Sequence, residues 1–140
     1  MPVEADVVAY LSAAGLGLTS GTNLFEGPMP ETPGDQTDVA VLHYASEASD
    51  DFCMGASLSA PGSELESIQV MTRDSTKSQA DSMALAVHAK LDNLGTTANF
   101  GSSGRTYFHI ESTGPPFSLG QDATGRWRRV ANYTVRKARG

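Results

Sequence analysis

Arg126-Trp127-Arg128-Arg129-Val130-Ala131-Asn132-Tyr133-Thr134-Val135-Arg136-Lys137 is the stretch of sequence that decides the fold. Strand alternation along it sends Trp127, Tyr133 and Val135 toward a core and a basic stripe, Arg126, Arg128 and Arg136, outward. A stripe of that kind is either a solvated sheet face or a protein interface. Arg126 and Trp127, at the tip of a hairpin, are anchor types for the second reading. Asn132-Tyr133-Thr134 matches a glycosylation sequon, but inside a strand it is a chance match.

Working back from this strand, residues 105–111 read as its partner, and residues 113–125 as the connecting loop, which ends in a turn signal. Residues 75–94 form the most regular helix. Ala80, Met83, Ala84, Val87, Leu91 and Leu94 make one stripe, with Lys77, Ser78, Asp81, Ser82 and Lys90 largely outside it. Asp74 or Ser75 is placed to cap the helix, Thr76 to Gln79 offers a capping box, and Gly95 closes it. Residues 66–72 read as a strand with Ile68, Val70 and Thr72 on one face. Residues 38–44 carry apolar side chains at odd and even positions, the pattern of a strand buried on both faces.

Residues 46–63 are Ser, Ala, Gly and acids around Phe52, Cys53 and Met54. A structureless loop of that length is uncommon and usually functional or disordered. We expect it to be mobile in an isolated subunit, with Phe52 and Met54 becoming ordered against a neighbour. Three prolines in residues 27–35 forbid helix and ladder alike. Residues 23–26 make a short strand. Residues 3–14 read as a helix, with Val3, Val7, Val8, Leu11 and Ala14 at helical spacing, acids in the first turn and Gly15 as its stop. The order α-β-β-β-α-β-β predicts an α+β fold over residues 1–140, one domain with a mostly antiparallel sheet and two helices on one face. No internal repeat is visible.

The 140 residues include one cysteine, which excludes an internal disulfide and every multi-Cys zinc site. No run approaches the roughly 18 apolar residues of a membrane helix, and the acidic N-terminus is unlike a signal peptide. A net charge of −6 argues against a dedicated nucleic-acid or anionic-membrane binder. The charge is divided unevenly. Residues 1–66 carry eleven acids and no Lys or Arg, while residues 67–140 carry all ten bases and five acids, standing at −11 and +5. Two solvated faces would explain this. So would a head-to-tail contact between one half of a subunit and the other half of its neighbour, which closes into a ring if the rotation allows.

No catalytic signature is present. The GxSxG elbow and the P-loop are missing, and Ser20 stands where a dinucleotide fingerprint starting at Gly15 needs its third glycine. His43, His88 and His109 lack metal-site spacing and read as structural or surface residues. Cys53 has no neighbouring base to lower its pKa. Asp35, Asp38, Asp50 and Asp51 read as solvated loop acids. No catalytic, cofactor-binding or metal residue is expected, and no cofactor.

Three blocks carry a resemblance. They are the helix followed by Gly15-Leu16-Gly17 and Asn23-Leu24-Phe25-Glu26-Gly27-Pro28-Met29-Pro30, the strand and alanine-rich helix of residues 67–95, and Pro115-Pro116-Phe117-Ser118-Leu119-Gly120-Gln121-Asp122-Ala123-Thr124-Gly125-Arg126-Trp127. In this order they resemble the minor capsid or tail-terminator proteins of long-tailed bacteriophages. That resemblance implies a non-enzymatic virion protein of the tail and neck, assembled in the host cytoplasm. It implies a ring, commonly a hexamer, that caps the tail-tube protein, stops its polymerisation and meets the head–tail connector or stopper protein. DNA would pass through such a ring without sequence-specific binding, and no membrane is involved. Arg126, Trp127, Arg128, Arg136, Phe52 and Met54 are the expected protein-interface residues. Another neck or head-completion protein, or a small monomeric binding module, is the alternative.

Overall fold

The computed structural model describes residues 3–28, 37–47, 63–92, 97–98, 106–122 and 125–138. Helix α1 spans Val3–Ser12 and is followed by the short strand β1, Leu24–Glu26. Strands β2 (Asp38–Glu47) and β3 (Ser63–Asp74) precede helix α2 (Lys77–Leu91). Four strands complete the order: β4 (Thr97–Ala98), β5 (Thr106–Ser112), β6 (Phe117–Gln121) and β7 (Trp127–Ala138). The sheet runs β1-β2-β3-β7-β5-β4, with β6 also paired to β7. All pairs are antiparallel except β1 with β2.

The decisive stretch lies in the middle of this sheet. One edge of β7 pairs with β3 along its whole length. Its other edge pairs with β6 over its first residues and with β5 over its last. Both helices pack on one face, α1 against β1 and β2, and α2 against β3, β7 and β5. The core is sandwiched between them. Val3, Val7, Val8 and Leu11 of α1 and Val87 and Leu91 of α2 meet Val39, Val41, Ile68, Val70, Ile110, Ala131, Tyr133 and Val135 of the sheet.

Local chemistry sets the boundaries. Gly15, with φ of 78°, takes the left-handed conformation that ends the turn after α1. Asn23 ties the connector to β1: its side-chain oxygen accepts the Thr19 N–H and its amide nitrogen donates to the Gly17 carbonyl. At α2 one of the expected caps, Asp74, binds the backbone at the helix start, and the capping-box alternative does not form. Thr76 is the N-cap position and makes no side-chain cap bond, so the capping box is not formed. Asp74, buried two residues earlier, accepts the Thr76 N–H at 2.8 Å and the Thr37 hydroxyl.

Several sequence expectations need correction. Residues 113–125 are not all loop, because Phe117–Gln121 forms β6. Residues 46 and 47 belong to β2 and residue 63 to β3, not to the expected loop. Phe52, Cys53 and Met54, together with Leu94, Gly95, Asp35, Asp50 and Asp51, lie outside the described residues. Asp38 is no solvated loop acid. It is buried at 1% exposure and bound to Arg73. Asp6 does more than complement the helix dipole, for it is fully buried and accepts the Tyr107 hydroxyl across the core.

Candidate functional site

Register assigns the two faces of the sheet. Ile68, Val70 and Thr72 lie opposite Tyr133, Ala131 and Arg129, under the helices. On that face the bases of β7 already have partners. Arg129 pairs with Asp81 of α2 at 3.4 Å, and Lys137 with Glu66 of β3 at 3.6 Å. Trp127 lies half-buried beneath the Lys77 ammonium, 5.7 Å from the ring centre. His88 and the Tyr133 hydroxyl are 3.0 Å apart, with Asp92 next to the imidazole.

Burial, and secondarily the Asp92 carboxylate, raises the Tyr133 phenol well above its usual range. The folded chain therefore keeps a proton that the unfolded chain gives up near pH 10. The sign follows from linkage: this contribution is complete below about pH 10 and is lost as pH rises above it. Urea midpoints measured from pH 8 upward should fall beyond pH 10, and Tyr133→Phe should flatten that fall. An identical alkaline profile in the variant would refute the assignment.

The opposite face carries no helix among the described residues. Its side chains come from Ala40 and Leu42 of β2, from Ser67, Gln69, Met71 and Arg73 of β3, and from Arg128, Val130, Asn132, Thr134 and Arg136 of β7. Gln69 donates to the Asn132 side chain across the central pair, which leaves the sequon asparagine engaged within the sheet. Arg128 and Arg136 thus stand on the helix-free face, as the alternation predicts. Arg126 does not stand outward with them. It is 5% exposed, because Asp122 accepts both its backbone N–H (2.9 Å) and its Nε (3.1 Å) within the β6–β7 turn. Gly120 (φ 77°) at the bulge of β6 and Gly125 (φ 83°) in the turn supply the backbone shapes this lock needs.

Two features were missed from the sequence. Phe117 and Leu119 of β6 are 46% and 43% exposed, and the outer edge of β6 carries no strand among the described residues. The two prolines before Phe117 and the glycine within the strand hid its alternation. At the end of the helix-free face nearest this hairpin, a cavity of about 370 Å³ opens. Pro28, Ala40, Leu42 and Met71 form its apolar part, and Arg73, Arg126, Arg128 and Asp122 its polar part. Among the described residues no group of three His, Cys, Asp or Glu could hold a metal ion, and no helix is long and apolar enough to cross a membrane.

The glycine, aspartate and arginine that lock this hairpin are those of the Leu119-Gly120-Gln121-Asp122 to Gly125-Arg126 block. The profile of the family described as "Bacteriophage tail terminator protein" matches residues 10–139. The chain belongs to this tail terminator family. It is a structural protein of the phage virion. A chain from the solved virion of a native gene transfer agent particle has the same fold, with a TM-score of 0.65. It is 15% identical, and the alignment covers 98% of this terminator-family chain and 95% of the other. No curated protein matches the sequence.

Proposed function

We propose that the 140 residues work as one unit, the subunit of a hexameric ring that caps the tail tube, stops its polymerisation and presents a surface to the connector or stopper protein below the head. The observation that carries this reading is the family match over residues 10–139. The opposite charges of the two halves of the chain suit head-to-tail contacts between copies. The role is structural and non-enzymatic, with no cofactor. Trp127, Arg128 and Arg136 take part in contacts, and Phe52 and Met54 are ordered on assembly. Arg126 contributes through the hairpin it locks, so reversing its charge would disturb the fold and make a poor test.

Electron microscopy of tails assembled with and without the protein tests the reading. Omission should give tails of uncontrolled length that fail to join heads. Tails of normal length joined to heads in its absence would overturn the proposal. Phe117→Ser/Leu119→Ser provides a finer measurement. Both side chains are exposed, so the urea midpoint should stay close to that of the native chain, while tail capping falls if β6 lies in a contact. A folded double variant that caps normally removes β6 from the interface.

A further inference from the structure

We infer that the arginine-framed cavity on the helix-free face receives the acidic segment of residues 50–54 from a second copy of this chain. The inference rests on the ring reading above and specifies one of its contacts.

The cavity selects for an anion joined to an apolar group. Two of its three guanidinium groups already hold a carboxylate, Arg73 that of Asp38 at 2.8 Å and Arg126 that of Asp122 at 3.1 Å. Arg128 is different. Its terminal nitrogen lies 3.4 Å from the carbonyls of Leu119 and Gln121, and its buried Nε has no hydrogen-bond partner. Among the described residues no carboxylate pairs with Arg128, and its donor capacity suits one. The other described residues of the lining, Pro28, Ala40, Leu42 and Met71, are apolar and do not suit a phosphate backbone.

The chain itself supplies a segment of matching chemistry. Asp50-Asp51-Phe52-Cys53-Met54 places two carboxylates beside two large apolar side chains, in the half of the sequence that has no base. Placement within the fold favours delivery between copies. The cavity sits at the end of the β2–β3 hairpin where Asp38 pairs with Arg73, whereas the connection holding residues 50–54 leaves from the other end, where Glu47 pairs with Leu65. From Ala40 to Glu47 the strand covers about 23 Å at roughly 3.3 Å per residue. Donor and acceptor at opposite ends of one hairpin give a heterologous contact, the type that closes a ring.

A fluorescent peptide of residues 48–56, titrated under reductant into the full chain at low salt, tests the contact by anisotropy. Binding should saturate and weaken with added salt. It should drop at least tenfold when Arg128→Glu is placed in the full chain, or when Asp50→Asn/Asp51→Asn is placed in the peptide, a variant that leaves the receiving fold untouched. No saturable binding, or binding indifferent to both changes, would overturn the inference, as would a single-stranded oligonucleotide that displaces the peptide. A Leu42→Cys chain separates the donors. Mild oxidation should join it to Cys53 of another copy as a ladder on a non-reducing gel, and an intrachain disulfide alone would overturn the inference. The ring reading is scored apart from this: Arg128→Glu chains that cap tails normally would remove the contact and leave the ring, and wild-type chains that bind the peptide yet never cap tails would do the reverse.

Discussion

Asp38→Ala is expected to cost about 3–5 kcal/mol of folding stability, the range for removing one partner of a buried ion pair. Asp38 is 1% and Arg73 6% exposed, and their side chains meet at 2.8 Å between directly opposed residues of β2 and β3. Removing the carboxylate leaves the guanidinium in the same enclosed place without the Asp38 charge opposite it. Replacing both, as in Asp38→Leu/Arg73→Met, should recover most of the loss, because the desolvated charge goes as well. The exposed pair His109–Glu111, at 3.9 Å, is the internal control. Glu111→Ala should shift stability by about 0–1 kcal/mol. Urea unfolding of the three variants measures this, and an Asp38→Ala loss no larger than that of Glu111→Ala would contradict the burial argument.

Leu91→Ala should lose about 2–5 kcal/mol through lost transfer energy and the cavity left behind. Leu91 is fully buried in the cluster between α2 and the sheet. Lys90, one position earlier, is exposed, and its link to α1 is the Tyr10 hydroxyl donating to its backbone carbonyl, which a side-chain change leaves in place. Lys90→Ala should therefore be nearly silent. Similar urea midpoints for the two variants would show that the helix presents another face to the sheet.

Periodicity made the helix faces legible, since Ala80, Ala84, Val87 and Leu91 are all buried as their spacing predicts. Alternation did the same for Ile68, Val70 and Thr72 of β3 and for Tyr133 and Val135 of β7. What stayed hidden depends on partners far away in sequence. Asp6 looks like a helix-dipole acid until Tyr107 is placed beside it, and Asp38 looks like a loop acid until Arg73 stands opposite. Arg126 follows the outward phase of its strand in the sequence, but a turn aspartate four residues earlier captures it. The parallel pairing of β1 with β2 was also unreadable, because three residues carry too little pattern to state a direction. At the candidate site, alternation placed Arg128 and Arg136 on one face. The cavity needed β2, β3 and the β6–β7 hairpin together.

The central position of β7 also governs the order in which the molecule can fold. Its pairing with β3 joins residues 74 and 127 at one end and 63 and 138 at the other, so every rung closes a long loop. The local units, α1 with β1 and the β2–β3 hairpin, can form early, but the sheet stays split until the distant strand arrives. Chains dominated by such remote pairings fold on the millisecond-to-second scale, far slower than helical bundles. Until then β3 presents an unpaired edge with Ile68, Val70 and Met71 along it, the feature by which partly folded chains recruit one another. For this virion protein, insertion of β7 is the step that separates an aggregation-prone intermediate from the folded chain.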